Sequence, residues 1–392
     1  MKLFEKLFSG KEISGRSWVV STLIGVGLVL LFLGCMNFFI DPFAYFRFSD
    51  GEFSEFQDGE DSYLRYIKAK QIQYDGDKYD AFIIGGSKAG AINPEVAGEL
   101  DGHTYYNSWI LSGNTHEYLL YTQYILEHTD ATKILLHLSG PEIRKADRST
   151  LGDLYKTPAV ITDGDEVAEF VEYLGKNVSF AWEDMTEMIS GDYSISNPGF
   201  ENGMRNVNYR YAKLKKDPEG YISTAVLHDY DTNLKKLFTV TPKNKAINES
   251  LDDLKQIKKL CDDNGIELQV VIGASFINEL YEYEAKTYWS YLLQVIDIFG
   301  EVWDFSGFND ICLNPYNFYN ESHYNYEVGD LMLRTMAKGE QIVDGFGILV
   351  NPDNRFDWLK ARRASYLEFK AEYLETGTVD ISKYTSYEGR VQ

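Results

Sequence analysis

The sequence predicts an α/β domain built on a doubly wound parallel sheet of five strands, carried behind one membrane-spanning helix. Three observations predict it: an uncharged apolar stretch near the N-terminus, repeated alternation of short apolar runs with helical patterns, and a glycine turn directly after the first of those runs.

The apolar stretch runs from Trp18 to Ile40, 23 residues without a charge. At about 1.5 Å of helical rise per residue it spans roughly 35 Å, the thickness of a bilayer core. Lys2, Lys6, Lys11 and Arg16 outweigh Glu5 and Glu12 ahead of it, so residues 1–17 are expected to form a cytoplasmic tail, with everything after Ile40 outside. A cleaved signal peptide fits less well, because the apolar run is long and lacks a small-residue cleavage site. A lipoprotein anchor on Cys35 fits poorly too, since Met36, Phe38, Phe39 and Ile40 continue the apolar run past it. The expectation is a single-pass cell-membrane protein with an extracytoplasmic main domain.

Subtracting the tail's net charge of +2 from the chain's −22 leaves −24 on the outer part. That balance argues against nucleic acid as a partner and against adhesion to anionic lipid by charge. With Cys35 in the membrane segment, only Cys261 and Cys312 lie outside, too few for a disulfide scaffold; spacing alone leaves their pairing open.

After an expected juxtamembrane connector at 41–76, Tyr79 to Gly85 (YDAFIIG) reads as a buried parallel strand. Gly85-Gly86 makes a turn, and Asn93-Pro94-Glu95 supplies an N-cap with proline at the first helical position. Thr104 to Ile110 predicts the second strand, Glu117 to Glu127 a helix, and Thr132 to Leu138 the third strand. Leu251, Leu254, Ile257, Leu260 and Cys261 are spaced helically, Gly265 stops that helix, and Glu267 to Gly273 is the fourth strand. A helix near Glu282 to Phe299 precedes the fifth strand, Glu301 to Phe305. The α/β domain thus covers 77–346, and beyond about Gly347 the sheet is expected to be finished, leaving a C-terminal helix (Asp357 to Leu374) and tail at 347–392.

An insertion at about 149–249 breaks the alternation and could cap the site. Its middle is crowded with Tyr193, Asn197, Gly199, Asn202, Gly203, Asn206, Tyr209 and Tyr211, which suits irregular structure near a ligand or ordinary aromatic packing.

A parallel sheet places its site at the carboxyl ends of the strands. Ser87 stands there, directly after the first strand, and a serine hydroxyl needs a base to become a nucleophile. Asn320-Glu321-Ser322-His323 follows the fifth strand and precedes a helix beginning near Tyr326, so topology brings His323 to the same edge. The bland alternatives are a solvated turn serine and a structural histidine.

With these residues in view, the chain resembles the SGNH (GDSL-like) hydrolases, in particular the membrane-anchored branch that works in O-acetylation or D-alanylation of cell-surface polymers. Ile83-Ile84-Gly85-Gly86-Ser87 matches the nucleophile block, Tyr106-Asn107 with Gly113 the second, and Ser322-His323-Tyr324 the histidine block. The resemblance implies a flavodoxin-like sheet, Ser87 as nucleophile, His323 as general base and then acid, and an oxyanion hole from the Ser87 and Gly113 N–H groups; Asn114 is a separate candidate for a side-chain donor. Such a donor is worth roughly 3 kcal/mol in serine hydrolases. Where that pattern carries Asp, three residues before the histidine, this chain has Asn320; Glu321, Asp304 or a backbone carbonyl are the other groups open to orient the ring. The third block is missing, since Leu138-Ser139-Gly140-Pro141 carries no Gly-x-Asn-Asp signature.

Lys88 and His116 are candidate substrate contacts, Lys88 for an anionic group and His116 because it opens a helix beside the Gly113 loop; solvent exposure and capping are the plain readings. His103, His128, His137 and His228 have no metal-ligand spacing, and Gly-Gly-Ser-Lys-Ala-Gly lacks P-loop spacing, so neither metal nor nucleotide cofactor is expected. The resemblance implies an extracytoplasmic serine O-acyl esterase or O-acyltransferase acting on a cell-envelope glycan or polymer, beside a membrane-bound O-acyltransferase. The competing expectation is a catalytically inactive SGNH-like scaffold of such a machine.

Overall fold

The computed structural model describes residues 14–41, 45, 64–139, 156–176, 181–182, 185–186, 189–190, 202–239, 247–277 and 286–392. Most of residues 1–17, expected as a cytoplasmic tail, Gly140-Pro141 and the Tyr193 to Gly199 stretch fall outside these residues.

Helix α1 (Gly15–Ile40) begins at Ser14, whose hydroxyl accepts from the Ser17 N–H, and ends at Asp41 in the left-handed conformation. Its 26 residues are long and apolar enough to cross a membrane. Its foot is tied to a later helix, Glu166–Lys176: the Asn37 amide donates to Leu174 O (2.6 Å), and the Tyr173 hydroxyl donates to Asp41 (2.6 Å).

The domain is α/β with a mostly parallel sheet. Its strands are β1 (Ala81–Gly85), β2 (Tyr105–Trp109), β3 (Lys133–Leu138), β4 (Glu267–Ile272), β5 (Val302–Asp304) and a sixth, Ile348–Val350, in the order β2-β1-β3-β4-β5-sixth. β1 lies between β2 and β3 in register, with Ala81 opposite Tyr105 on one side and Lys133 on the other. Phe82, Ile83, Ile84, Ile134 and Leu136 are fully buried, because helices cover both faces. Each such side chain contributes about 1.5–3 kcal/mol on leaving water.

Two boundaries differ from expectation. The sheet does not finish before Gly347, since Ile348–Val350 adds an antiparallel edge strand with Val302 opposite Val350. Within the expected connector, helix α2 (Leu64–Asp75) packs into the domain: Arg65 pairs with Glu117 (2.6 Å) and donates to Leu111 O, and Lys68 donates to Asn107 O (2.6 Å) and Gly203 O (2.8 Å). These cations are buried because fixed oxygens replace their water.

The helices expected around the sheet are present as α3 (Pro94–Asp101, capped by Asn93 with Pro94 at its start), α4 (Thr115–His128), α9 (Ile247–Asn264), α10 (Lys286–Phe299), α11 (Tyr326–Lys338) and α12 (Arg355–Thr376), and the insertion holds the charged helix α5 (Glu166–Lys176) together with α6 (Asn208–Lys216), α7 (Pro218–Ala225) and α8 (Tyr230–Thr239), of which α6 begins where irregular structure was expected. Cys261 and Cys312 are free thiols, each pushed up to about 12 by burial.

Helix α12 is locked to β5 through Asp304, which accepts from Trp358 Nε1 (2.8 Å) and Arg362 (3.0 Å) and also from the Ser306 hydroxyl. Removing one partner of a buried pair leaves the other charge desolvated. Arg362→Leu is therefore expected to cost about 3–5 kcal/mol in a denaturant melt, and adding Asp304→Asn to recover part of it. Additive losses in the double variant would contradict the pairing.

Candidate active site

β1 ends at Gly85 and the chain enters a tight 3-10 turn, Ser87–Ala91. A Cβ at Gly85 would stand 2.8 Å from the His137 carbonyl oxygen and 2.9 Å from Ala89 Cβ, so only glycine lets β1 run into the turn this close to β3. The buried Asn107 side chain holds the turn from behind, donating to Ala89 O (2.8 Å) and Ile92 O (2.9 Å) while its oxygen accepts from Trp109 N–H (3.1 Å). Ser87 itself stays partly exposed at the carboxyl edge of the sheet.

On the far side of the sequence, β6 (Phe318–Asn320) and β7 (His323–Tyr324) form a small antiparallel hairpin in which Asn320 pairs with His323. Asn320 Oδ1 accepts from the backbone N–H groups of Ser322 (3.0 Å) and His323 (2.9 Å), an Asx turn that closes the hairpin. The same oxygen lies 2.9 Å from His323 Nδ1, and His323 Nε2 lies 2.7 Å from Ser87 Oγ.

These distances settle the proton positions by elimination. The two backbone donors identify the Asn320 atom as oxygen, which only accepts, so Nδ1 carries the ring proton. Nε2 then holds a lone pair toward the Ser87 hydroxyl. Burial and the positive charges of Arg205, Lys88 and Arg210 hold the His323 imidazolium well below the usual histidine range. Tyr319 stacks on the imidazole with ring centres 5.4 Å apart.

The other expected site residues fall into place less uniformly. Lys88 is buried rather than solvated, donating to the Ser275 hydroxyl (2.8 Å) just after β4. The Gly113 N–H donates to Ile110 O (3.0 Å) within its own turn. Asn114 caps α4: its oxygen accepts from the His116 and Glu117 N–H groups and its amide donates to Glu117 (2.7 Å). The expected oxyanion donors at 113 and 114 are thus used locally, and the Ser87 N–H stands at the start of its own turn, beside the Ser87 hydroxyl. His116 stands 3.4 Å from Asp253 on α9, which raises its pKa, and it is half exposed there. Of the groups open to orient His323, Asp304 belongs to Arg362 and Trp358, and Glu321 lies 3.1 Å from His228; Asn320 holds the ring.

Two groups at this edge carry no sequence signal as site residues. Arg205 comes from the insertion, hydrogen bonds through its backbone to Gly90 O (3.0 Å), donates to the Tyr319 hydroxyl (3.3 Å) and lies over the Trp109 ring. His137 on β3 is buried, 3.2 Å from the Tyr324 hydroxyl, and burial together with the Lys88 charge lowers it to about 3.

No protein-family model matches this chain, and no curated protein matches it. The functional reading therefore stands on the geometry.

Proposed function

We propose that this protein is a membrane-anchored serine O-acyl esterase or O-acyltransferase of the SGNH type, working outside the cell on a cell-envelope glycan or polymer. The observation that carries the reading is the chain of contacts Ser87 Oγ to His323 Nε2 (2.7 Å) and His323 Nδ1 to Asn320 Oδ1 (2.9 Å). The strand order 2-1-3-4-5 supports it, being that of flavodoxin-like sheets whose ligands bind at the carboxyl edge.

In the proposed reaction, the Ser87 proton moves to Nε2 while Oγ attacks the acyl carbon. The leaving alcohol takes that proton from Nε2, giving an acyl-Ser87 ester. Water or an acceptor hydroxyl then attacks the ester through the same base, which makes the protein an esterase or a transferase respectively. The basic N-terminal tail fits a cytoplasmic position, with α1 as the anchor. A membrane-bound O-acyltransferase delivering the acyl group across the bilayer is the partner this topology fits.

A second reading, an inactive scaffold of the same fold, is favoured by the local use of the Gly113 and Asn114 donors. Labelling of the purified full-length chain with a fluorophosphonate separates the two. Wild type is expected to label on Ser87 and Ser87→Ala to remain unlabelled; equal absence of label in both selects the scaffold.

A further inference from the structure

Helix α5 is amphipathic in the opposite sense to a helix that packs on a soluble domain. Val167, Phe170, Val171 and Leu174 follow one another at three- and four-residue spacing and form one apolar stripe. The charged face is the one turned to the protein. Tyr173 is buried there, Glu166 pairs with Lys70 of α2 (3.0 Å), Glu169 accepts from the Ala159 N–H (3.1 Å), and Glu172 lies 3.4 Å from Lys156. The stripe looks outward, with Val167 72% and Val171 61% exposed. A surface helix ordinarily buries its apolar stripe in the core, so a contiguous stripe facing away from the core marks a second apolar medium.

The position of α5 identifies that medium. Its last turns are bonded to the C-terminal end of α1, through the Asn37 amide to Leu174 O (2.6 Å) and the Tyr173 hydroxyl to Asp41 (2.6 Å). At that end of α1, Phe39 is 76% exposed, so both partners of the contact present apolar surface outward. We propose that the face of α5 bearing Val167 and Val171 lies in the bilayer surface, against lipid acyl chains just below the headgroups, so that this end of the insertion rests on the membrane. The inference rests on the membrane anchoring by α1 proposed above and on none of the acyl chemistry. The stripe carries no charge, so burial of apolar area drives the contact rather than headgroup attraction. That agrees with a chain of net charge −22, which anionic headgroups repel.

Full-length protein in vesicles of neutral phosphatidylcholine tests the contact. Cys35→Ser leaves only the buried Cys261 and Cys312, so a fluorophore can be placed at one introduced cysteine at a time and quenched by nitroxide-bearing lipids. Leu28→Cys reports insertion of α1, and Glu340→Cys, exposed just after α11, reports the aqueous level. Labels at Val167→Cys and Val171→Cys are expected to be quenched at least about threefold more than the label at 340, most strongly by nitroxides near the headgroups, and equally at low and high salt. Val171→Asp, a change at an exposed position, should lower the quenching at 167 by about twofold or more. Quenching at 28 with no more quenching at 167 and 171 than at 340 overturns the proposal and leaves the anchor standing; absence of quenching at 28 overturns both. If the labels at 167 and 171 are unquenched, oxidative crosslinking of Val171→Cys between two copies assigns the face to a second copy of the chain, and its failure assigns the face to a different protein.

Discussion

Replacing either Ser87 or His323 by alanine is expected to lower turnover of an activated ester such as 4-nitrophenyl acetate by about 10⁴-fold or more, and the double variant to be no slower than either single one. The reason is geometric. With Nε2 2.7 Å from Oγ, proton removal and nucleophilic attack are one event, so deleting either group deletes the same step. Neither side chain is part of the fully buried core, and the Asn320 Asx turn that shapes the hairpin uses backbone donors that survive His323→Ala. Unfolding temperatures should accordingly stay near wild type. Losses that multiply in the double variant, or a His323→Ala protein retaining more than a tenth of the wild-type rate, would show that the two groups do not act together.

The parts of this arrangement that could be read from sequence are those where local chemistry and tertiary role agree. β1 is apolar at every position because helices cover both faces, and Asn93-Pro94 caps a helix wherever it occurs. Helix α2 escaped notice because Arg65, Lys68 and Lys70 look like a solvated face; their burial depends on Glu117, on carbonyl groups of Asn107 and Gly203, and on Glu166, all distant in sequence. The edge strand Ile348–Val350 is three residues long, too short to show a period, and exists because β5 offers it an open edge. At the site, Gly85-Gly86-Ser87 is legible because close approach to His137 demands glycine, while Asn114 shows how one motif serves two readings: an asparagine before a helix is a cap as readily as an oxyanion donor. Arg205 and Arg210 sit in an insertion whose path back to the sheet no local pattern encodes.

Asn320 is where the chain's chemistry is most open to change. In serine proteases, asparagine in the aspartate position costs about four orders of magnitude because the imidazole adopts the wrong tautomer. Here the Ser322 and His323 N–H groups point the amide oxygen, not the nitrogen, at Nδ1, so the productive tautomer is retained. What the asparagine does not supply is charge. In the proposed reaction an imidazolium would face Arg205, Lys88 and Arg210, and burial together with these cations holds the folded pKa well below the ordinary value. The base thus remains deprotonated at neutral pH, and the acid limb of kcat/KM is expected well below pH 6.5, since activity is lost only as pH falls through the folded pKa. Asn320→Asp keeps all three acceptor contacts and adds a carboxylate, which should raise the His323 pKa, bring the acid limb up with it, and raise the rate on a neutral ester about tenfold at pH 7.5. Asn320→Ala removes both the turn and the ring's anchor and should cost about 10²–10⁴-fold. A full pH–rate profile of the three proteins on one neutral ester checks this: an acid limb that stays put in Asn320→Asp, or an alanine variant within twofold of wild type, would mean that Asn320 does not orient the base.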